Sequence, residues 1–400
     1  MTGALQDLVV LDLTHVLAGP FCTMMLADMG ANVIKIEPPS GGDDTRAYPP
    51  FRINKDGDQE SLYFANINRN KKGVTLNLKA PKGKDLFLKM VRTADIVVEN
   101  YRPGVMDRLG LGYDVLKGIN PRIIYGAVSG FGNTGPYRLR PGYDILGQAM
   151  GGLMAITGIP GGPPTRAGSA IGDILGGLHL AIGLLAAVHS RALTGKGQRV
   201  DIGLMDAVIA ATENTAIKYI ESGQVPPRMG NRYAAVSPYD AFRVKDGEII
   251  IAAGNQRLYE KLCTEILNRP DMIEDPRFAD MAGRLKNQDD IQEVIEGVLA
   301  DKTAEEAVEL ILSKGIPAGP IYDIGQILKD PQVKNREMFV DMEHPSLGHI
   351  TVNGCAIKLE DTPPNVHAPA PGLGQDNQAV FCDLGYSAEE IITLHEQGII

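Results

Sequence analysis

The 400-residue chain has only four cysteines, Cys22, Cys263, Cys355 and Cys382, with no Cys-x-x-Cys pair and no zinc spacing. A zinc ribbon and a dithiol redox centre are thereby set aside. A chain of this size needs no disulfide framework, and a reducing cytoplasm is the expected compartment. The opening "MTGALQDLVVLDL" lacks the basic-then-apolar build of a secretory leader. Cations are also short, 39 Lys and Arg against 49 Asp and Glu, and the net charge of −10 argues against nucleic acid or an anionic membrane as a general partner. A small anionic ligand stays open, because a local basic cluster overrides the overall sign. The longest apolar run, Ile174 to Val188, is broken by three glycines and His179. It is expected as a buried core helix rather than a membrane span. No two of the seven histidines stand at metal-ligand spacing, so no metal site is expected. His179 and His189 are expected as hydrogen-bonded core residues, and Cys22 as core rather than nucleophile.

Nucleotide motifs are missing where they would be needed. The first βα turn, "DLTHVLAGP", has no Gly-x-Gly-x-x-Gly fingerprint. Glu37 therefore occupies the place of a dinucleotide ribose ligand without the glycines that would accompany one. There is no Walker A sequence and no Gly-x-Ser-x-Gly elbow; "AVSGFG" around Ser129 has the wrong order.

What is present is an alternation of strand and helix patterns. "LVVLDL", "NVIKIE", "GVTLNLK", "DIVVENY" and "GQRVDIGL" read as strands, with "AGPFCTMMLADMGA" and "KGKDLFLKMVRTA" as helices between them. This predicts an α/β fold, a Rossmann-like large domain with a parallel sheet. The texture shifts to turns, a hairpin around Lys245-Asp246-Gly247 and amphipathic helices, so a smaller α+β domain is expected. The expected boundaries are 1–215, 216–325 and a segment 326–400 that returns to the large domain. Lys35, Lys71, Lys72, Lys79, Arg102 and Arg108 fall near predicted strand ends, where open α/β sheets bind ligands, which favours a ligand with several phosphates. Asp173 heads the long apolar run. On that stretch alone it reads as a helix cap.

The segments "VVLDLTHVLAGPFCTMMLADMGANVIKIEPPSGGDDTR", "NRNKKGVTLNLK", "ADIVVENYRPGVMDRLGLGY", "GFGNTGPYRLRPGYD" and "GSAIGDILGGLHLAIGLLAA" together resemble the family III CoA-transferases, from about residue 5 to the C-terminus. That family includes the formyl-CoA:oxalate, acetyl-CoA:oxalate, succinyl-CoA:dicarboxylate and carnitine CoA-transferases. The resemblance implies that Asp173, in the Gly-Asp step, is a covalent nucleophile. It implies CoA contacts from His15, Leu17 and Ala18 in the first βα turn, and from Glu37 and Pro38 after the second strand. Leu76, Asn77, Leu78, Lys79, Asn100, Tyr101, Arg102, Arg108, Tyr143 and Asp144 complete the implied site. It also implies an interlocked homodimer, each subunit a ring threaded through the other. No permanently bound cofactor is implied; CoA thioesters enter as substrates, with a free carboxylic acid as the other reactant.

The implied chemistry begins with a carboxylate attacking a thioester. The mixed anhydride so formed is opened by CoA thiolate to an aspartyl-CoA thioester, and an incoming acid runs the sequence in reverse. A helix N-terminus is expected to keep Asp173 ionised, with nearby backbone N–H groups stabilising the oxyanion. "RMGN", Arg228 to Asn231, is a candidate cover or a plain turn. The α-methylacyl-CoA racemases share the fold but place a histidine where this chain has Tyr143, and a phenol is a poor base near neutral pH. A non-catalytic CoA-binding module is a further alternative. An NAD oxidoreductase ranks last. Leu17 stands where formyl-CoA:oxalate transferases have glutamine, and their tetraglycine loop has no counterpart here. "EHPSLGHITVNGCAIKL" and "NRNKK" look like the succinyl-CoA-dependent dicarboxylate transferases, whereas "SPYDAF" and "AAGNQRLYEKLC" look like the acetyl-CoA:oxalate type. The expected acceptor is a small di- or hydroxy-carboxylic acid such as oxalate, with succinyl-, acetyl- or formyl-CoA as donor.

Overall fold

A computed structural model describes residues 3–400. The β-branched runs form a six-stranded sheet from β1 (Val9–Asp12), β2 (Asn32–Glu37), β3 (Lys72–Thr75), β4 (Ile96–Glu99), β5 (Ile124–Ser129) and β6 (Arg199–Gly203). Every pairing is parallel, and the strand order is β3-β2-β1-β4-β5-β6. Two apolar clusters cover the two faces, so Val10, Val74, Val97 and Val98 are buried, as strands of a doubly covered parallel sheet must be. The order reverses between β1 and β4, and that reversal opens a crevice at the carboxyl ends of the two strands.

The helices that frame this crevice are α1 (Ala18–Asp28), α2 (Leu62–Ile67), α3 (Pro81–Val91), α4 (Asp144–Met150) and α5 (Ile171–Thr194). Gly30, with φ +99°, turns the chain out of α1 into β2. α5 lies directly on the start of α1. A Cβ on Gly177 would sit 2.6 Å from the Ala18 carbonyl oxygen, so only glycine permits the approach that brings the head of α5 to the sheet edge.

α5 departs from the expected buried helix. Leu180, Ala181, Leu184 and Ala187 are buried on one face, but Ile182 is 66% exposed and Leu193 75%. His189 is exposed, contrary to the core placement expected for it; His179 is half-buried, its Nδ1 2.8 Å from the Leu175 carbonyl oxygen. At 24 residues α5 is long and apolar enough to cross a membrane by length and composition, which the interrupted run concealed.

The chain divides into two compact units, residues 1–153, 166–221 and 331–400 in one, and 154–165 with 222–330 in the other. Residues 154–165 group with the second unit because Arg228 donates to the carbonyls of Gly162 and Ala155, and Gly230 N–H to that of Gly158. The "RMGN" segment is thus tied down by hydrogen bonds. The second unit holds an antiparallel sheet, with Tyr239–Val244 paired to Gly247–Ala252 and the latter to Ala318–Pro320. Gln288–Leu299 and Ala304–Ser313 are among its helices, and Phe242, Ile251, Ile295 and Ile311 lie in its core. In the first unit, residues 331–400 clamp the β3 edge. Asp376 accepts the Gly73 N–H at 2.7 Å, Asn377 accepts that of Thr75 at 2.8 Å, and Phe381, Leu394 and Ile400 join the core beside Leu76 and Phe87.

Candidate active site

The turn after β1 is held by buried charges. Asp12 accepts hydrogen bonds from Thr14, Thr23 and Lys71, the last at 2.9 Å. Burial would raise its carboxyl, but Lys71 and Lys35 outweigh that and hold it far below the usual range. Lys71 is pushed down to about 8 by burial, against the pull of Asp12. Lys35 donates to the Thr14 carbonyl at 2.9 Å and to Asp43 at 2.8 Å. Asp43 in turn accepts the Val16 N–H, and Asn100 brackets His15 by accepting from its N–H at 2.9 Å and donating to its carbonyl at 2.7 Å. Pinned from these sides, Val16 takes φ +64°, which a β-branched residue rarely adopts, and the chain swings Leu17 and Ala18 into the crevice. α1 begins there without a side-chain cap, leaving its first amides available to an anion.

This arrangement corrects the list of strand-end cations. Lys35 and Lys71 are buried in ion pairs with Asp43 and Asp12, and Lys72 is at the amino end of β3, so none of the three is a free cation at a carboxyl end. Lys79, Arg102 and Arg108 are exposed. Glu37 is also engaged. Arg46 holds its two oxygens at 2.7 and 2.8 Å and the Asp43 N–H adds a third bond at 2.8 Å, so no carboxylate is left for a ribose. The next residue, Pro38, is exposed. Leu76 is core, Asn77 and Leu78 are half-buried, and the Lys79 N–H donates to Asn77.

A pocket of about 80 Å³, open to solvent, lies at the carboxyl ends of β1, β4 and β5. Its wall brings together His15, Leu17, Ala18, Asn100, Tyr101, Arg102, Tyr143 and Asp173. The His15 and Tyr101 rings stack with centroids 5.6 Å apart. Glu37, Pro38, Leu76, Asn77, Leu78, Lys79, Arg108 and Asp144 do not line it. Beneath Tyr101, Glu99 is raised to about 7 by burial, although the Tyr101 N–H and the Tyr125 hydroxyl both donate to it.

Asp173 is not the cap of its helix. α5 begins at Ile171, and the cap is supplied across space by Asp144, whose Oδ1 accepts the N–H groups of Gly172 at 2.7 Å and Asp173 at 3.4 Å. Gln148 steadies Asp144 through a 2.8 Å bond to its other oxygen. Asp144, expected to touch CoA, is buried beneath the head of α5. No donor among the described residues reaches the Asp173 carboxylate. Burial, and then the charge of Asp144, raise its carboxyl from 3.8 to about 7, opposing the ionisation that the helix N-terminus was expected to favour. Near neutrality the group is about half ionised, and its anion is more basic than an ordinary carboxylate.

Several residues in the pocket wall or electrostatically coupled to it escaped the sequence reading. Tyr63 on α2 feels the Asp173 charge, which together with burial pushes its phenol up to about 12. Tyr48 meets the Tyr63 ring edge-on at 6.2 Å and is raised by burial, Asp44 and Tyr143. Ser129 and Arg140, unlike the two tyrosines, line the wall itself. In the sequence Ser129 stood out only in a wrongly ordered elbow and Arg140 only as part of a family-like segment. Gly130-Phe131-Gly132-Asn133-Thr134-Gly135 has dinucleotide spacing directly after β5, but no helix opens there; the next begins at Asp144. Among the described residues no three His, Cys, Asp or Glu side chains gather to hold a metal ion.

Beside this geometry stands a similarity that runs along nearly the whole chain. The family model for CoA-transferase family III covers residues 5–377. The chain belongs to this family. The transferase is 40% identical over 380 residues to the acetyl-CoA:oxalate CoA-transferase of Acetobacter aceti, which covers 94% of this chain and 95% of that one. It is 40% identical to the succinyl-CoA:mesaconate CoA-transferase of Haloarcula hispanica, over 96% of this chain and 97% of the relative. The human succinyl-CoA:glutarate CoA-transferase is 35% identical, over 99% and 90%. Among solved structures, a CaiB/BaiF family protein from Brucella suis superposes with a TM-score of 0.84 at 36% identity, covering 96% of this chain and all of the other. Rv3272 from Mycobacterium tuberculosis gives 0.83 at 31%, over 94% and 99%.

Proposed function

We propose that this transferase moves CoA from a small acyl-CoA to a di- or hydroxy-carboxylic acid through an aspartyl-CoA thioester on Asp173. The observation that carries the reading is the unpartnered Asp173 carboxylate, set in a crevice beside the uncapped start of α1. Its anion attacks the donor thioester carbonyl, CoA leaves as thiolate, and a mixed anhydride remains. The thiolate attacks the aspartyl carbonyl and releases the donor acid, leaving the aspartyl-CoA thioester. The acceptor carboxylate then attacks that thioester, and the second anhydride is opened by thiolate to the new acyl-CoA and free Asp173. No net proton is consumed, and the exchanged bonds are of similar energy.

In this reading Leu17, Ala18, Asn100, Tyr101 and Arg102 flank the pantetheine and pyrophosphate, with His15 stacked behind. Lys79 and Arg108, exposed beyond the pocket, serve the phosphates, with Leu76 to Leu78 and Pro38 as backbone contacts. Asp144 positions Asp173. Relatives named for oxalate, mesaconate and glutarate support a dicarboxylate acceptor. We assign the open apolar side of α5, with Ile145 and Met150 of α4, to a second copy of the chain in a cytoplasmic homodimer, since isolated monomers rarely expose so much apolar surface.

The test is mass spectrometry after incubation with donor acyl-CoA and trapping with hydroxylamine or borohydride. The expected result is modification confined to the peptide carrying Asp173, and no exchange in Asp173→Asn. An unmodified peptide together with full activity in that variant refutes the mechanism.

A further inference from the structure

The transfer steps leave two groups of the Asp173 pocket without a task. Ser129 ends β5, and its Oγ is shielded from solvent with no hydrogen-bond partner. Native folds seldom leave a buried hydroxyl in that state, so a bound group is the natural partner. Arg140 lines the same pocket, its guanidinium 3.7 Å from the centre of the Tyr137 ring, and no carboxylate among the described residues pairs with it. Tyr137 packs edge-on against Phe131 at 5.8 Å, so the exposed guanidinium rests on a supported ring. The segments carrying the two residues are pressed together. A Cβ on Gly130 would lie 2.6 Å from the Gly142 Cα, which holds Ser129 and Arg140 on one junction. Val128 and Leu204 supply apolar wall beside them.

We propose that Ser129 and Arg140 form the subsite for the free carboxylate of the acyl chain, the one not exchanged. An ionised carboxylate calls for a cation and an additional donor, and a guanidinium with a hydroxyl offers that set. A dicarboxylate then spans from Asp173 to Arg140, with its methylenes against Val128 and Leu204. The inference rests on the CoA-transfer reading above and adds which groups select the acid. Arg102, on the β4 side of the pocket, stays with CoA.

The experiment uses the full chain with saturating acetyl-CoA and compares glutarate with valerate, acids of equal length that differ in the second carboxylate. The wild type is expected to prefer glutarate. In Arg140→Met and in Ser129→Ala the glutarate-to-valerate ratio of kcat/KM falls about 10- to 100-fold, through the glutarate KM, and Arg140→Lys restores part of it. Ser129→Ala is expected to melt no lower than wild type, since it removes an unpaired polar group. A ratio unchanged in both variants, or a rise in the acetyl-CoA KM in place of the glutarate KM, overturns the assignment. So does a wild type that takes both acids equally. Exchange with no acid at all would instead fell the transfer reading itself.

Discussion

The raised carboxyl of Asp173 makes the stability of the fold depend on pH in a way that one substitution removes. Folding raises this group from 3.8 to about 7, through burial and the charge of Asp144. Between those values the folded chain binds more protons than the unfolded one, so the contribution of Asp173 to stability falls as pH rises through this window. At about 1.36 kcal/mol for each tenfold change in proton affinity, the full cost above pH 7 is about 4 kcal/mol. This is a ceiling, because the side chain opens on a pocket that water can enter. Asparagine carries no charge at any of these pH values. Asp173→Asn should therefore match wild type near pH 4 and gain on it steadily up to about pH 7.5. With unfolding entropy of about 2.1 cal/mol/K per residue, 4 kcal/mol over the chain corresponds to about 5 °C in Tm. Scanning calorimetry on both proteins from pH 4 to 8 reads the difference directly. A gap that is flat across this range, or that widens toward acid, would sink the argument that Asp173 is held unpaired at the expense of the fold.

The same group should control the rate. In the proposed mechanism the donor half-reaction needs the anion, so its rate should rise with pH through about 7 and level off above, measured as release of the donor acid in single turnover. Asp144→Asn keeps an oxygen for the Gly172 N–H but removes the like charge, so the midpoint should move to lower pH without reaching the ordinary carboxylate value, because burial remains. An unmoved midpoint would count against the coupling. Lys71→Met leaves Asp12 buried without its closest cation and should cost about 3–5 kcal/mol in urea unfolding; a loss under 1 kcal/mol would contradict the network described for the β1 turn. In sedimentation the protein should run at twice 43.0 kDa, and Ile182→Lys should dissociate it; a wild type at 43.0 kDa would dismiss the second copy.

Much of the fold was readable from local pattern. The run "NVIKIE" became β2 with those very ends, and Ser387 and Glu390, three residues apart, form a capping box. These features rest on neighbours a few residues apart. Within the candidate site, Asp173 and the turn at Leu17-Ala18 were visible through the family resemblance of the segments that carry them. The cationic residues misled because a lysine near a strand reads alike whether it meets solvent or an acid. Lys71 finds Asp12 across 59 positions and Lys35 finds the Thr14 carbonyl across 21.

The sequence by itself determined the alternation of strands and helices, the apolar runs that bury the sheet, and the acid at the head of a long helix. Periodicity and turn chemistry act over a few residues, and they leave a mark there. Only the tertiary structure decided that Asp144, not Asp173, caps that helix, that α5 keeps one apolar side open, and that Ser129 and Arg140 reach the pocket wall. Those outcomes depend on desolvation and on contacts between distant segments. The carboxylate is tuned by burial and by a charge 29 residues away, neither of which the linear order can express.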